Sequence, residues 1–150
     1  MKSRRKALRS LISEKIVNIA DFRSMRNGRQ SRRLAVVSEN KELCAGLSEQ
    51  LKSHAEVVPF DSRFSLEQGL KSGEWDGVLL DQRTLKDDAL SLCEKLKKSS
   101  KLEDLFVVII SDTNDKTVVR SGYEKGCDEW ISRAEDVPHL ARLLSHHLSN

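Results

Sequence analysis

Three short apolar runs, each followed by polar residues, constrain this chain more than any other feature: Val78-Leu79-Leu80-Asp81, Val107-Val108-Ile109-Ile110-Ser111 and Asp128-Glu129-Trp130-Ile131-Ser132-Arg133. Runs this short, β-branched or leucine-rich and followed by a helical pattern, read as buried parallel strands that each deliver a polar side chain to the same sheet edge. In open α/β sheets ligands bind beyond the carboxyl ends of the strands, so Asp81, Ser111 and Arg133 are predicted to converge on one pocket. An acid, a hydroxyl and a cation placed together suit phosphoryl or metal chemistry.

The rest of the chain from Leu34 onward alternates accordingly. Leu34 to Val37 is predicted to be the first strand and Ala55 to Pro59 the second. Leu43, Cys44, Leu47 and Leu51 recur at helical spacing. A weak helix is expected over 63–72, closed by Ser72-Gly73. Ala89, Leu92, Cys93 and Leu96 form the stripe of the next. A helix from about Asp115 to Glu124 ends near Gly126. Val137, Leu140, Ala141, Leu144 and Leu148 define the last helix, with Pro138 near its start. Five βα units in this order predict a flavodoxin-like, doubly wound five-stranded parallel sheet of order 2-1-3-4-5, with an extra N-terminal amphipathic helix. The switch point falls at the first and third strands, where Ser38, Glu39 and Asp81 lie.

Charge divides the chain into two zones. Residues 1–33 hold eleven Lys and Arg against two acids, while residues 34–150 hold fifteen against twenty-one, so the overall charge of +3 hides an arm of +9 on a body of −6. Such asymmetry points to an interaction tail. Leu8, Leu11, Ile12, Ile16, Ile19 and Ala20 repeat at three and four residues, which predicts one amphipathic helix, and Ser24 to Arg33 reads as a polar linker. The domain division expected is therefore 1–33, a basic helix and linker, and 34–150, the α/β domain. Arg4, Arg5, Lys6, Arg9, Arg32 and Arg33 are the candidates for binding a polyanion, either nucleic acid or an anionic membrane. Such binding is expected to be non-specific and salt-dependent. A solvated tail is the competing reading, as is a helix that docks on the domain or pairs two copies into a homodimer. With only Phe22 as an aromatic in the arm, base stacking on single strands is disfavoured.

Residues 33–148 resemble the receiver domain of bacterial two-component response regulators. Gly126-Cys127-Asp128-Glu129-Trp130 is similar to that family's Gly-Ala-Asp-Asp-Tyr segment, and Trp75-Asp76-Gly77-Val78-Leu79-Leu80-Asp81 to its third strand. The resemblance implies that Asp81 takes the phosphoacceptor position, Ser111 and Arg133 the phosphoryl pocket, and Trp130 the switch aromatic, although an aromatic at a sheet edge is as readily simple packing. Four departures surround the site. The acidic pair that would hold a divalent cation with the phosphoacceptor reads Ser38-Glu39 here, which implies a weakened metal site at Ser38, Glu39 and Asp81. The family lysine is Arg133, a planar fork in place of a point charge. Asp112 adds negative charge after Ser111. The loop Gln82-Arg83-Thr84-Leu85 lacks the usual proline, and Arg83 lies close enough in sequence to reach back and neutralise Asp81.

These departures predict a degenerate, pseudo-receiver type of module: non-enzymatic, without a cofactor, acting through protein partners in a signalling pathway. The alternative is a working response regulator that accepts phosphate on Asp81 from a histidine kinase with Mg²⁺. A second alternative is a DNA- or membrane-associated regulator that uses the arm. The sequence has no nucleophile–His–acid series and no glycine loop for phosphates. His139, His146 and His147 on the last helix are expected to face solvent. The three cysteines, Cys44, Cys93 and Cys127, are unclustered, which disfavours a disulfide framework and suits a reducing cytoplasm.

Overall fold

The computed structural model describes residues 32–99, 102, 104–132 and 137–149. The proposed N-terminal helix, Arg4, Arg5, Lys6 and Arg9, and Arg133 therefore lie outside the described residues.

The apolar runs pair as β1 (Arg32–Val37), β2 (Ala55–Phe60), β3 (Gly77–Asp81), β4 (Phe106–Ile110) and β5 (Glu129–Ile131). All pairings are parallel and the order is β2-β1-β3-β4-β5, the flavodoxin-like arrangement expected. Among the described residues six helices connect or follow the strands: α1 (Lys41–Leu51), α2 (Arg63–Gly69), α3 (Gln82–Leu85), α4 (Asp88–Lys98), α5 (Lys116–Glu124) and α6 (Val137–Ser149).

Period-two alternation in buried strands divides the core into two layers. Leu34, Val36, Leu79, Val108 and Ile110 meet α1 and α6 through Leu43, Leu47, Leu140 and Leu144. Ala35, Val37, Val78, Leu80, Val107 and Ile109 face the other way, onto Leu66 of α2, Leu85 of α3 and Ala89, Leu92 and Leu96 of α4. Central strands buried on both faces need continuous apolar runs, and β3 and β4 are buried along their whole length. Pro59 sits in β2, an edge strand. The neighbouring bonds from Arg32 N–H to the His54 carbonyl and from Ser38 N–H to the Phe60 carbonyl direct the even-numbered backbone groups toward β1, so Pro59 lacks a donor only on the free side.

Helix starts follow their capping residues. Asn40 accepts from the Leu43 amide at 3.0 Å, Ser62 and Ser65 form a reciprocal capping box, and Asp115 accepts from the Thr117 amide at 2.8 Å. Gly126, at φ 107°, supplies the left-handed residue after α5.

The first strand begins two residues before Leu34, which corrects the assignment of Arg32 and Arg33 to the basic arm. Both are strand residues with local partners. Arg32 Nη1 lies 3.4 Å from Asp76 Oδ1, and the Arg33 guanidinium carbon lies 3.9 Å from the centre of the Trp75 ring. The Arg33 amide donates to Asp76 Oδ2 at 2.9 Å, and the Asp76 amide donates back to the Arg33 carbonyl at 2.9 Å. This clasp ties the start of β1 to the start of β3. The loop after Asp81 also differs from expectation, because Gln82 to Leu85 close into a single helical turn. His147 does not simply face solvent: its ring stacks on Phe106 with centroids 5.0 Å apart, and Nε2 lies 3.5 Å from Glu129. No described helix is long and apolar enough to cross a membrane.

Candidate functional site

Parallel pairing places the residues that follow β1, β3 and β4 along one sheet edge. Val37 is opposite Leu80 and Asp81 opposite Ile110, so one step further Ser38 comes beside Asp81 and Ser111 lies beyond Ile110. All three polar side chains are buried, Asp81 at 1 % exposure, Ser111 at 2 % and Ser38 at 5 %. A carboxylate this deep needs its lone pairs filled.

Asp81 fills them from two residues. Ser38 Oγ donates to Oδ2 at 2.7 Å. Arg83 supplies the other three donors: its amide and Nε to Oδ1 at 3.0 and 2.9 Å, and Nη2 to Oδ2 at 3.1 Å. The paired Nε and Nη2 contacts are the two-pronged guanidinium–carboxylate geometry, which combines charge with direction. By accepting from the Arg83 amide, Asp81 also caps the α3 turn whose second residue neutralises it. The guanidinium extends toward Asp112, with Nη1 3.8 Å from Oδ1. The negative charge after Ser111 is thus set against the same cation.

The neighbours of Arg83 are engaged in turn. Ser111 Oγ donates to Gln82 Oε1 and accepts from the Thr113 amide at 3.0 Å. Thr84 Oγ1 accepts from the Glu39 amide at 2.9 Å, and Ser38 Oγ accepts from the Asn40 amide at 3.0 Å. Trp130 packs behind this edge. Its Nε1 donates to the Thr113 carbonyl at 3.3 Å, its backbone amide donates to Tyr123 Oη at 3.1 Å, and its ring lies against Gly122.

The structure therefore brings together Asp81, Ser38 and Ser111 at the edge where the sequence placed them, with Glu39 next to Ser38. Ser111 is turned to Gln82. Sequence reasoning missed the parts played by Gln82 and Thr84; nothing in a four-residue polar stretch distinguishes them. It also missed Asp128, whose Oδ2 accepts from the Val107 amide at 2.7 Å and from Lys97 Nζ at 3.1 Å, fixing the approach of the chain to β5.

A divalent cation does not fit this arrangement. It needs several free oxygen ligands, whereas the Asp81 oxygens receive four donors and Ser38 Oγ already accepts from the Asn40 amide. Among the described residues no three His, Cys, Asp or Glu are grouped to hold a metal.

No protein-family model and no curated protein matches the sequence. Solved structures do match the fold. A response regulator from Thermotoga maritima superposes with a TM-score of 0.71 at 17% identity, covering 80% of this chain and 99% of that one. The BeF3-activated DrrB receiver domain gives 0.69 at 20% identity over 81% of this chain and 100% of that one. An orphan response regulator of H. pylori gives 0.70 at 19% identity over 80% and 98%. The fold is that of response-regulator receiver domains.

Proposed function

We propose that the chain is a non-enzymatic signalling module on the receiver scaffold, acting through protein partners while its Asp81 pocket is held in one state by its own Arg83. The observation that carries this reading is the complete engagement of Asp81. A carboxylate that must attack a phosphodonor beside a divalent cation needs free oxygens, and here each oxygen accepts two internal donors. The guanidinium supplies the positive charge that a cation would otherwise bring, so the site keeps its electrostatic balance without input. The scaffold supports a partner-binding role by likeness to named response regulators, with the partner's identity outside that likeness.

The second reading, a phosphoaccepting regulator using Asp81 with Mg²⁺, is favoured by one feature: Asp81 and Ser111 close adjacent strands at the same edge, with Glu39 beside them. Intact-mass measurement after incubation with a small phosphodonor and MgCl2 separates the two. The expected result is an unchanged mass. Addition of one phosphoryl group, abolished by Asp81→Asn, would overturn the proposal in favour of phosphoacceptance by a histidine kinase pathway.

A further inference from the structure

Three consecutive side chains of α3 bind the loops after β1 and β4 and the end of their own strand, β3. Gln82 accepts from Ser111 after β4, Arg83 clasps Asp81 at the end of β3 and approaches Asp112, and Thr84 accepts from the Glu39 amide after β1. Four residues thus close the whole carboxyl edge of the central strands. The turn ends at Lys86, whose φ of 56° and ψ of −130° lie where a side-chain-bearing residue is strained. That conformation persists because neighbouring contacts hold it: the Lys86 amide donates to the Gln82 carbonyl at 2.7 Å and its Nζ to the Arg83 carbonyl at 2.9 Å.

We propose that the Gln82–Leu85 turn is a strap across the carboxyl edge whose three side chains let go as one unit, with Lys86 as the strained residue that relaxes on release. This deepens the partner-binding reading, on which it rests, by naming the unit that holds the edge in its one state. Cooperativity follows from the geometry. The three side chains share one turn of backbone, so a rotation that withdraws Arg83 from Asp81 also moves Gln82 and Thr84 from their partners. Strain at Lys86 favours that rotation, and the Arg83 fork opposes it.

Amide hydrogen exchange on the intact protein tests the strap without any ligand, so its outcome is separate from whether Asp81 takes a phosphoryl group. Arg83→Ala is expected to raise exchange at least about tenfold at the amides of Glu39 and Thr113, which donate to Thr84 and Ser111, while the Arg33 amide at the opposite edge keeps its rate. Lys86→Gly, which removes the strain, is expected to slow exchange at the same two amides, and Lys86→Ala is not. Faster exchange confined to residue 83 would mean three independent contacts and would overturn the strap. If Arg83→Ala opens the whole domain, so that Arg33 accelerates equally, Thr84→Val decides: it must raise exchange at Arg83 and Thr113, and an effect limited to Glu39 refutes the proposal.

Discussion

At the scale of the residue, Asp81 is a carboxylate buried to 1 % exposure that depends on Ser38 as well as on Arg83. Ser38→Ala removes one charge-assisted donor from a buried carboxylate while leaving the Arg83 fork, so a loss of about 1–3 kcal/mol is expected from chemical denaturation at neutral pH. An unchanged midpoint would show that Arg83 alone satisfies the group. The thiols give a pH-dependent counterpart. Burial is the leading cause that pushes Cys93 up to about 11 and Cys127 up to about 12, from an ordinary value of 9.0. The folded chain therefore holds those protons after the unfolded chain has released them. Their contribution is intact below pH 9 and stability falls progressively toward about 12, a trend that denaturation midpoints collected across that range would reveal. At neutral pH a thiol reagent is expected to label the half-buried Cys44 before the other two.

At the scale of the element, α5 and β5 depend on one close approach. A Cβ on Gly122 would sit 2.5 Å from Trp130 Cε3, so Gly122→Ala must displace the indole or the helix. Destabilisation of about 1–3 kcal/mol is expected, with a shift in Trp130 emission. Elements of this kind were legible in the sequence to different depths. Five strands and α1, α4 and α6 follow from apolar runs and three-to-four spacing, because burying one stripe leaves few arrangements, whereas α2 and α5 were marked by the residues that close them, Ser72-Gly73 and Gly126. The α3 turn was not legible, since four residues make no stripe. Arg32 and Arg33 read as arm because charge marks solvent in a sequence, whereas their guanidinium groups meet Asp76 and Trp75 at a strand start. At the site, the polar identities at the strand ends announced the edge, and Arg83 was recognisable as a partner for Asp81. The direction of Ser111 toward Gln82 was not, because a hydroxyl rotates to whichever acceptor the fold supplies.

For the whole molecule, the clasp at Arg32 and Arg33 sets where the sheet begins. A chain starting at Arg32 and one starting at Leu34 differ by two residues, yet the shorter loses the Arg33 stack on Trp75, the Arg32–Asp76 ion pair and the Arg33 amide's bond to Asp76. A difference of about 1–3 kcal/mol in unfolding free energy is expected between them, and equal midpoints would reduce the clasp to a surface contact. Polyanion affinity, measured against salt concentration, is expected to drop when residues 1–31 are removed, since most of the basic charge of residues 1–33 goes with them.

The two tryptophans stand at opposite poles of the sheet. Trp75 lies beneath the Arg33 cation where β1 and β3 begin, and Trp130 donates to the Thr113 carbonyl where β4 ends. Each indole is thus a built-in optical probe for one pole. With Trp75→Phe the emission colour follows the Asp81 end alone, and with Trp130→Phe it follows the root of the basic arm. A partner mixed with the two single-tryptophan proteins would reveal, by which spectrum moves, the end of the molecule it has grasped.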